Sequence, residues 1–349
     1  MLTRDHQKLI LELEAEINSR LPIWFQEPVA SLSFLPKLER RKGSFALRYL
    51  VEFQSGRRST LRVKIPREGE TTLTKAIANQ TLKCVAKEEH ETLLAMENVI
   101  EATGDPHLGA IRSLAYLPPW NAVVMQELEA MNFEQLLFDP WMRLGFRNRP
   151  RFKLALSGAG RWLNHYHTRL GNPQEVIFSA DSIRERYRAK IDQLDQLGDR
   201  NKKLNALDRA FAQACENIDG AMVTVATQHG DLYFTNVLLS VDNRVAFLDF
   251  DPRKQLREPV YFDLSTFIAE FIVQKVKVKS LGFLLPPMYI SEGVELFLRG
   301  YFESGEIDRR FLNVYEGIGI VNALYWYQER VKSNKGISRR IANRFYPLI

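Results

Sequence analysis

The stretch QHGDLYFTNVLLSVDNRVAFLDFD, residues 228–251, constrains this chain more than any other. It sets His229, Asp231, Asn236, Asp249 and Asp251 among Val237, Leu238, Leu239, Phe247, Leu248 and Phe250. Carboxylates beside core residues are costly unless they are solvated, paired or holding a metal. Two β-like runs, NVLLS (236–240) and RVAFLDF (244–250), flank VDN (241–243), in which Asp242 and Asn243 are turn formers. The pattern predicts a hairpin. Asn236 opens its first strand and Asp249 closes its second, so the two side chains meet although they are 13 positions apart. Two oxygen donors at one hairpin mouth suit Mg²⁺, which takes one or two protein oxygens and leaves the rest to water and phosphate. Asp231 lies five residues before Asn236, on the loop leading in, within reach of a substrate hydroxyl beside the metal. A base that orients a nucleophile, with metal ligands that neutralise phosphate charge, is a layout for phosphoryl transfer. Asp251 stays open between a supporting contact and a surface acid.

The rest of the chain limits the alternatives. At 349 residues it is too long for one ordinary core and fits two lobes. Apolar residues make up 45% and charged residues 26%, as in an ordinary globular protein. A formal charge of +6 permits phosphate-rich partners without identifying one. No zinc-finger, zipper or RNA-reading aromatic motif is present, so nucleic acid is not expected as a partner. Two cysteines, Cys84 and Cys215, exclude a disulfide framework and Cys-x-x-Cys metal sites, and they fit a reducing, cytoplasmic setting. The acidic N-terminus has no apolar run of the signal-peptide kind, and no stretch approaches the ~20 apolar residues of a membrane span. GFLLPPMYI (282–290) is too short and is broken by Pro286 and Pro287.

Along the chain, residues 5–20 read as a partly amphipathic helix capping the first lobe, with Leu9, Leu11, Leu13 and Ile17 among charges. From 31 to about 65 the alternation in SFALRYLVEF and STLRVKIP predicts an antiparallel meander. A long helical pattern follows over 72–98, and residues 122–125 read as a buried strand. Beyond these the pattern is mostly helical, with the acidic hairpin inside it. The expected division is 1–125 as a nucleotide-binding lobe whose first 30 residues are a helical extension, 126–129 as a hinge, and 130–349 as a catalytic and acceptor-binding lobe.

The segments HGDLYFTN and FLDFD resemble the catalytic core of the aminoglycoside phosphotransferase and choline kinase-like group of small-molecule kinases. The resemblance implies an α+β, bilobal protein-kinase-like fold, with a small N-terminal lobe of antiparallel sheet plus helix and a large, mainly helical C-terminal lobe. It implies ATP or GTP with Mg²⁺ as cofactors, Asp231 as catalytic base, and Asn236 and Asp249 as Mg²⁺ ligands. His229 is then a support under the loop, a catalytic role being the alternative. EPVYFDLSTF (258–267) is similar to the group's Asp-Pro-x-Tyr-Asp-Leu segment, with Glu258 in place of the first Asp and one residue more. Asp263 is expected to anchor the catalytic loop. His165 and His167, two apart, do not share a helix face and read as packing or surface residues.

A kinase also needs a strand cation for the phosphates and a helix Glu to hold that cation. LRVKIPREG offers Lys64, two before Pro66, with Arg62 on the same strand face as its rival. AKEEHETLLAM offers Glu89, which its spacing to Leu93-Leu94 favours over Glu88 or Glu91. There is no Gly-x-Gly-x-x-Gly; Gly43 and Ser44 alone stand where backbone N–H groups can touch phosphate. The hinge Gln126–Leu128 would offer main-chain groups to a purine.

The last 98 residues contain 15 Lys plus Arg against 10 Asp plus Glu. A pocket for polycationic aminoglycosides would want clustered acids, so the balance favours a neutral or anionic acceptor, such as a sugar or a glycan precursor. Ile337, Ile341 and Phe345 sit at helical spacing among cations, which suits either an anionic membrane surface or packing on the lobe. A non-catalytic nucleotide-binding or scaffold protein of the same fold is the second functional expectation. Oligomeric state is not legible.

Overall fold

The computed structural model describes residues 4–41, 43–138, 149–196, 202–276, 287–303 and 305–333. The C-terminal basic run from 334 onward and most of GFLLPPMYI lie outside them. Contacts divide the chain into two compact units. The first is Met1–Asp105, Gly109–Ala130 and Phe250–Lys254; the second is Pro106–Leu108, Met131–Asp249 and Gln255–Ile349. Among the described residues, no helix is long and apolar enough to cross a membrane.

The first unit is built on a five-stranded antiparallel sheet, order β1-β2-β3-β5-β4. Its strands are β1 (Val29–Arg40), β2 (Ser44–Phe53), β3 (Arg58–Pro66), β4 (Ser113–Leu117) and β5 (Ala122–Gln126). The expected meander is present, with β1 and β4 as strands the alternation did not single out. The β1–β2 register shifts between Leu35 and Glu39, around Pro36, which has no N–H to give to the ladder. Helix α1 (Arg4–Trp24) lays Ile10, Leu13, Ile17 and Leu21 against Leu47, Tyr49, Val51, Leu61, Val63 and Ile65. That stripe corrects the apolar set expected for this helix: Leu11 is 66% exposed, because only the i, i+3, i+4 face meets the sheet.

The helical pattern at 72–98 forms two helices, α2 (Leu73–Ala78) and α3 (Gln80–Thr103). Asn79 separates them. It takes an extended backbone, and its side chain accepts from the N–H groups of Thr81 and Leu82, which starts α3 afresh. Alternation along β3 turns Lys64 away from Val63 and Ile65, onto the face that α3 covers.

The second unit carries α4 (Phe133–Phe138), α5 (Arg149–His165, followed by a π-helical turn Tyr166–Leu170), α6 (Asp181–Gln196), α7 (Lys202–Glu216), α8 (Tyr261–Val276), α9 (Pro287–Phe302) and α10 (Arg309–Ser333). Helices α5 and α9 approach backbone to backbone: a Cβ on Gly160 would lie 2.1 Å from Phe297 O, and one on Gly300 2.1 Å from Ser157 O. Two small sheets hold the loops. One, order β11-β8-β7, joins β7 (Gln174–Ile177), β8 (Met222–Thr227) and β11 (Arg257–Pro259). Its strands were not legible in a region expected to be helical, since they are three to six residues long and not strictly alternating. The other, order β10-β9-β6, is the expected hairpin of β9 (Val237–Ser240) and β10 (Val245–Phe247) plus β6 (Ala130–Asn132), where the chain passes between units.

Candidate active site

The hairpin pairs Val237 with Phe247, so its strands are shorter than the apolar runs suggested. Asn236 ends a 3₁₀ turn, Phe234–Asn236, and its carbonyl accepts from Leu248 N–H at 2.8 Å. Asp249, the next residue, adopts φ 62. That left-handed conformation is uncommon outside glycine, although Asp is among the residues that tolerate it, and it turns the chain sharply just beyond the ladder. The correction to the hairpin mouth is therefore local: Asn236 and Asp249 flank the last ladder bond rather than ending two strands.

Asn236 is nearly buried, and its amide nitrogen donates to Asp231 O at 2.9 Å and to Asp231 Oδ2 at 3.2 Å. Orienting the amide nitrogen toward Asp231 turns the other amide atom, an oxygen, away from it. An amide oxygen and a carboxylate are hard donors of the type Mg²⁺ takes, so these residues fit the ion. Among the described residues no cluster of three or more His, Cys, Asp or Glu side chains forms.

Beneath the loop lies a buried polar network. Asp263, fully buried at the start of α8, accepts from His229 N–H at 2.6 Å and Gly230 N–H at 3.2 Å, and contacts His167 Nε2 at 3.2 Å. His167 Nδ1 lies 2.8 Å from the Tyr301 hydroxyl. Gln228 spans the same region, donating to Ala226 O and Glu258 O while its side-chain oxygen accepts from Asp263 N–H. Gly230 sits at φ 76, which glycine adopts freely. Burial alone would raise the Asp263 carboxyl. The His167 hydrogen bond and charge, with the His229 N–H, outweigh it and hold the group below the usual carboxylate range.

His229 is fully buried. Its Nδ1 accepts from Asp231 N–H at 3.3 Å, and desolvation pushes its pKa down against the pull of Asp263, Asp231 and Asp249. Desolvation thus favours the neutral imidazole at this position. Glu270, two turns along α8 from Asp263, accepts from Phe234 N–H at 3.3 Å.

In the first unit, Lys64 Nζ contacts Glu89 Oε1 at 2.6 Å, with side-chain exposures of 9% and 3%. Glu88 and Glu91 are exposed, and Arg62 is half-buried. Gly43 O accepts from Arg67 N–H at 2.9 Å, and Ser44 O from Arg41 N–H at 2.8 Å, which closes the turn before β2. At the expected hinge, Gln126 N–H donates to Arg112 O and Glu127 N–H to Thr60 O, so two main-chain donors there are spent in the first unit. The Gln126 side chain donates to Ser59 Oγ, and Leu128 follows the sheet in an irregular stretch.

Sequence reading missed two contributors and left a third, Asp251, open. His167, expected as packing or surface, is a buried ligand of Asp263; the residue pattern held no pointer across 96 positions. Glu270 did carry a signal, its i+7 spacing from Asp263 on one helix. Asp251 proves to be paired with Arg253, at 2.7 Å between Oδ2 and Nη2.

No family model matches the chain, and no curated protein matches it significantly. Solved structures do. Macrolide 2′-phosphotransferase type I is similar at TM-score 0.53 and 13% identity, over 99% of this chain and 97% of that one. Glucosamine kinase is similar at TM-score 0.52 and 15% identity, over 92% and 91%. Its complex with glucosamine, ADP and inorganic phosphate is similar at TM-score 0.51 and 15% identity, over 92% and 94%. The chain has the kinase-like fold of these structures.

Proposed function

We propose that this chain is a phosphotransferase of the aminoglycoside phosphotransferase and choline kinase-like group, moving the γ-phosphate of ATP or GTP to a hydroxyl of a small molecule. The observation that carries the reading is the buried Lys64–Glu89 pair. Desolvating two charges is not an efficient way to stabilise a fold, since apolar residues of similar volume do as well or better. A strand cation held by a helix carboxylate is, however, what a phosphate grip requires.

In this reading Lys64 neutralises nucleotide phosphates and Glu89 keeps its ammonium in place. Asn236 and Asp249 hold Mg²⁺, which when bound supplies charge neutralisation on the phosphates. Asp231 accepts a hydrogen bond from the acceptor hydroxyl, aims its oxygen at the γ-phosphorus and takes the proton as the new O–P bond forms and the bond to the β–γ bridging oxygen breaks, releasing the nucleoside diphosphate. The Asn236 amide keeps that carboxylate in one orientation. Neutral His229 and the Asp263 network hold the loop so that no reorganisation is needed at the moment of transfer.

The preferred acceptor is a sugar or glycan precursor. The basic balance of the last 98 residues supports it. Asp231→Asn tests the assignment. Calorimetry is expected to show ADP binding unchanged, while ADP release driven by a responding sugar, amino alcohol or glycan precursor falls roughly 10²–10⁴-fold, the usual weight of a positioned base. Equal turnover by the variant on that acceptor would refute the role of Asp231.

A further inference from the structure

The five residues Phe250–Lys254 belong to the first unit although the chain on both sides of them belongs to the second. Their anchor is Arg253. Its Nε donates to Asp251 Oδ1 at 2.8 Å and its Nη2 to Asp251 Oδ2 at 2.7 Å, a two-pronged pair. Nη1 donates to Arg67 O at 3.0 Å, and Nη2 also reaches Gly43 O at 3.3 Å. Four of roughly five guanidinium N–H groups are thus committed, so Arg253 is a brace and not a free ligand-binding cation. Arg67 completes the arrangement, its N–H on Gly43 O and its Nη1 on Arg41 O at 3.2 Å. One guanidinium therefore ties together the turn at Gly43, the end of β3 and the acid that follows the expected metal ligand.

We propose that Arg253 and Asp251 form a positioning pair for nucleotide phosphates: Asp251 holds the Arg253 guanidinium in place, and Arg253 fixes the Gly43 turn, where backbone N–H groups can touch phosphate. The inference rests on the phosphotransferase reading. Side-chain exposures of 26% for Arg253 and 11% for Asp251 leave little water to screen an uncompensated acid if the arginine is removed. A space at Gly43 completes the picture: a Cβ there would lie 3.5 Å from Arg253 Nη2 and 3.8 Å from Asp251 Oδ2, so the turn rests directly on the pair.

The experiment measures ADP affinity of the full chain by calorimetry, with and without Mg²⁺, for wild type, Arg253→Met, Arg253→Lys, Asp251→Asn and the double variant Arg253→Met/Asp251→Asn. Arg253→Met is expected to weaken ADP about tenfold, the scale of one lost charge-assisted contact. Arg253→Lys, which keeps the charge but cannot form the two-pronged pair and reach both carbonyls, should fall between wild type and Arg253→Met, and the double variant should recover part of what Arg253→Met loses, because the stranded carboxylate is gone. If Arg253→Met does not fold, Arg253→Gln replaces it in both arms. Hydrogen exchange at residues 39–45 gives a nucleotide-free reading, with faster exchange expected in Arg253→Met. Unchanged ADP affinity in Arg253→Met would overturn the proposal, and a double variant no better than the single would reduce the pair to a fold contact. Wild type that binds neither ADP nor ATP would instead remove the phosphotransferase reading itself, whatever the exchange experiment shows of the brace.

Discussion

Replacing Asp263 by alanine should be among the most damaging single changes outside the reacting groups. The carboxylate has no solvent exposure and serves three donors: His229 N–H, Gly230 N–H and His167. Alanine strands all three in a space that excludes water. Each buried donor left without an acceptor costs about 1–3 kcal/mol, and the three are coupled, so the expected loss is roughly 3–5 kcal/mol. Set against a typical stability of about 5–15 kcal/mol, this is a large part of the total. Asp263→Asn keeps the volume and one acceptor oxygen but aims an NH₂ at a donor, and should cost about half as much by the same reasoning. Urea unfolding followed by tryptophan emission is a suitable assay, because buried Trp162 stacks on Phe247 at 4.1 Å and Phe247 lies 5.8 Å from His229. The pH dependence follows from the depressed carboxyl. Its folded-state pKa lies below the unfolded value near 4, so its contribution is complete above about pH 4 and is lost as pH falls through the folded-state value. His229 adds to acid sensitivity earlier: its depressed pKa means that the unfolded chain takes up the proton first, and stability declines as pH falls below about 6.5. An Asp263→Ala unfolding free energy within about 0.5 kcal/mol of wild type would show that the network does not hold the loop.

Other outcomes are open to simple measurement. Lys64→Met takes the ammonium away from the buried Glu89 carboxylate and should destabilise the first unit by about 3–5 kcal/mol, whereas Lys64→Met/Glu89→Leu should recover stability yet still fail to bind nucleotide, read by thermal unfolding with and without ADP. Gly160→Ala puts a methyl group 2.1 Å from Phe297 O, so α5 and α9 must separate, and a loss of several kcal/mol by denaturant titration is expected of such overpacking against backbone. Exposed Cys84 should react rapidly with a thiol reagent at pH 8, while Cys215, whose thiol burial pushes up to about 11, should react only on unfolding, as timed labelling would show.

What the chain declares by itself is local. The alternation at 44–53 and 59–66 specifies strands because their side chains must fall on two faces, one apolar. The spacing of Asp231, Asn236 and Asp249 is legible because a hairpin needs only a turn and two apolar runs to return the chain on itself. Glu89 could be picked out of three candidates because only its position shares a helix face with Leu93. Tertiary structure decided whatever joins positions far apart in sequence. That Asn79 splits one helical pattern into two, that short strands around Thr224 and Glu258 make a sheet, and that His167 reaches Asp263 all depend on partners no periodicity announces. The same holds for Asp251. In sequence it is one more acid after a metal-ligand candidate; its meaning comes from Arg253, which carries five residues into a unit whose strands lie almost 200 positions away, at Gly43 and Arg67. Hydrophobic pattern is written residue by residue, but a buried charge finds its partner only when the whole chain has folded.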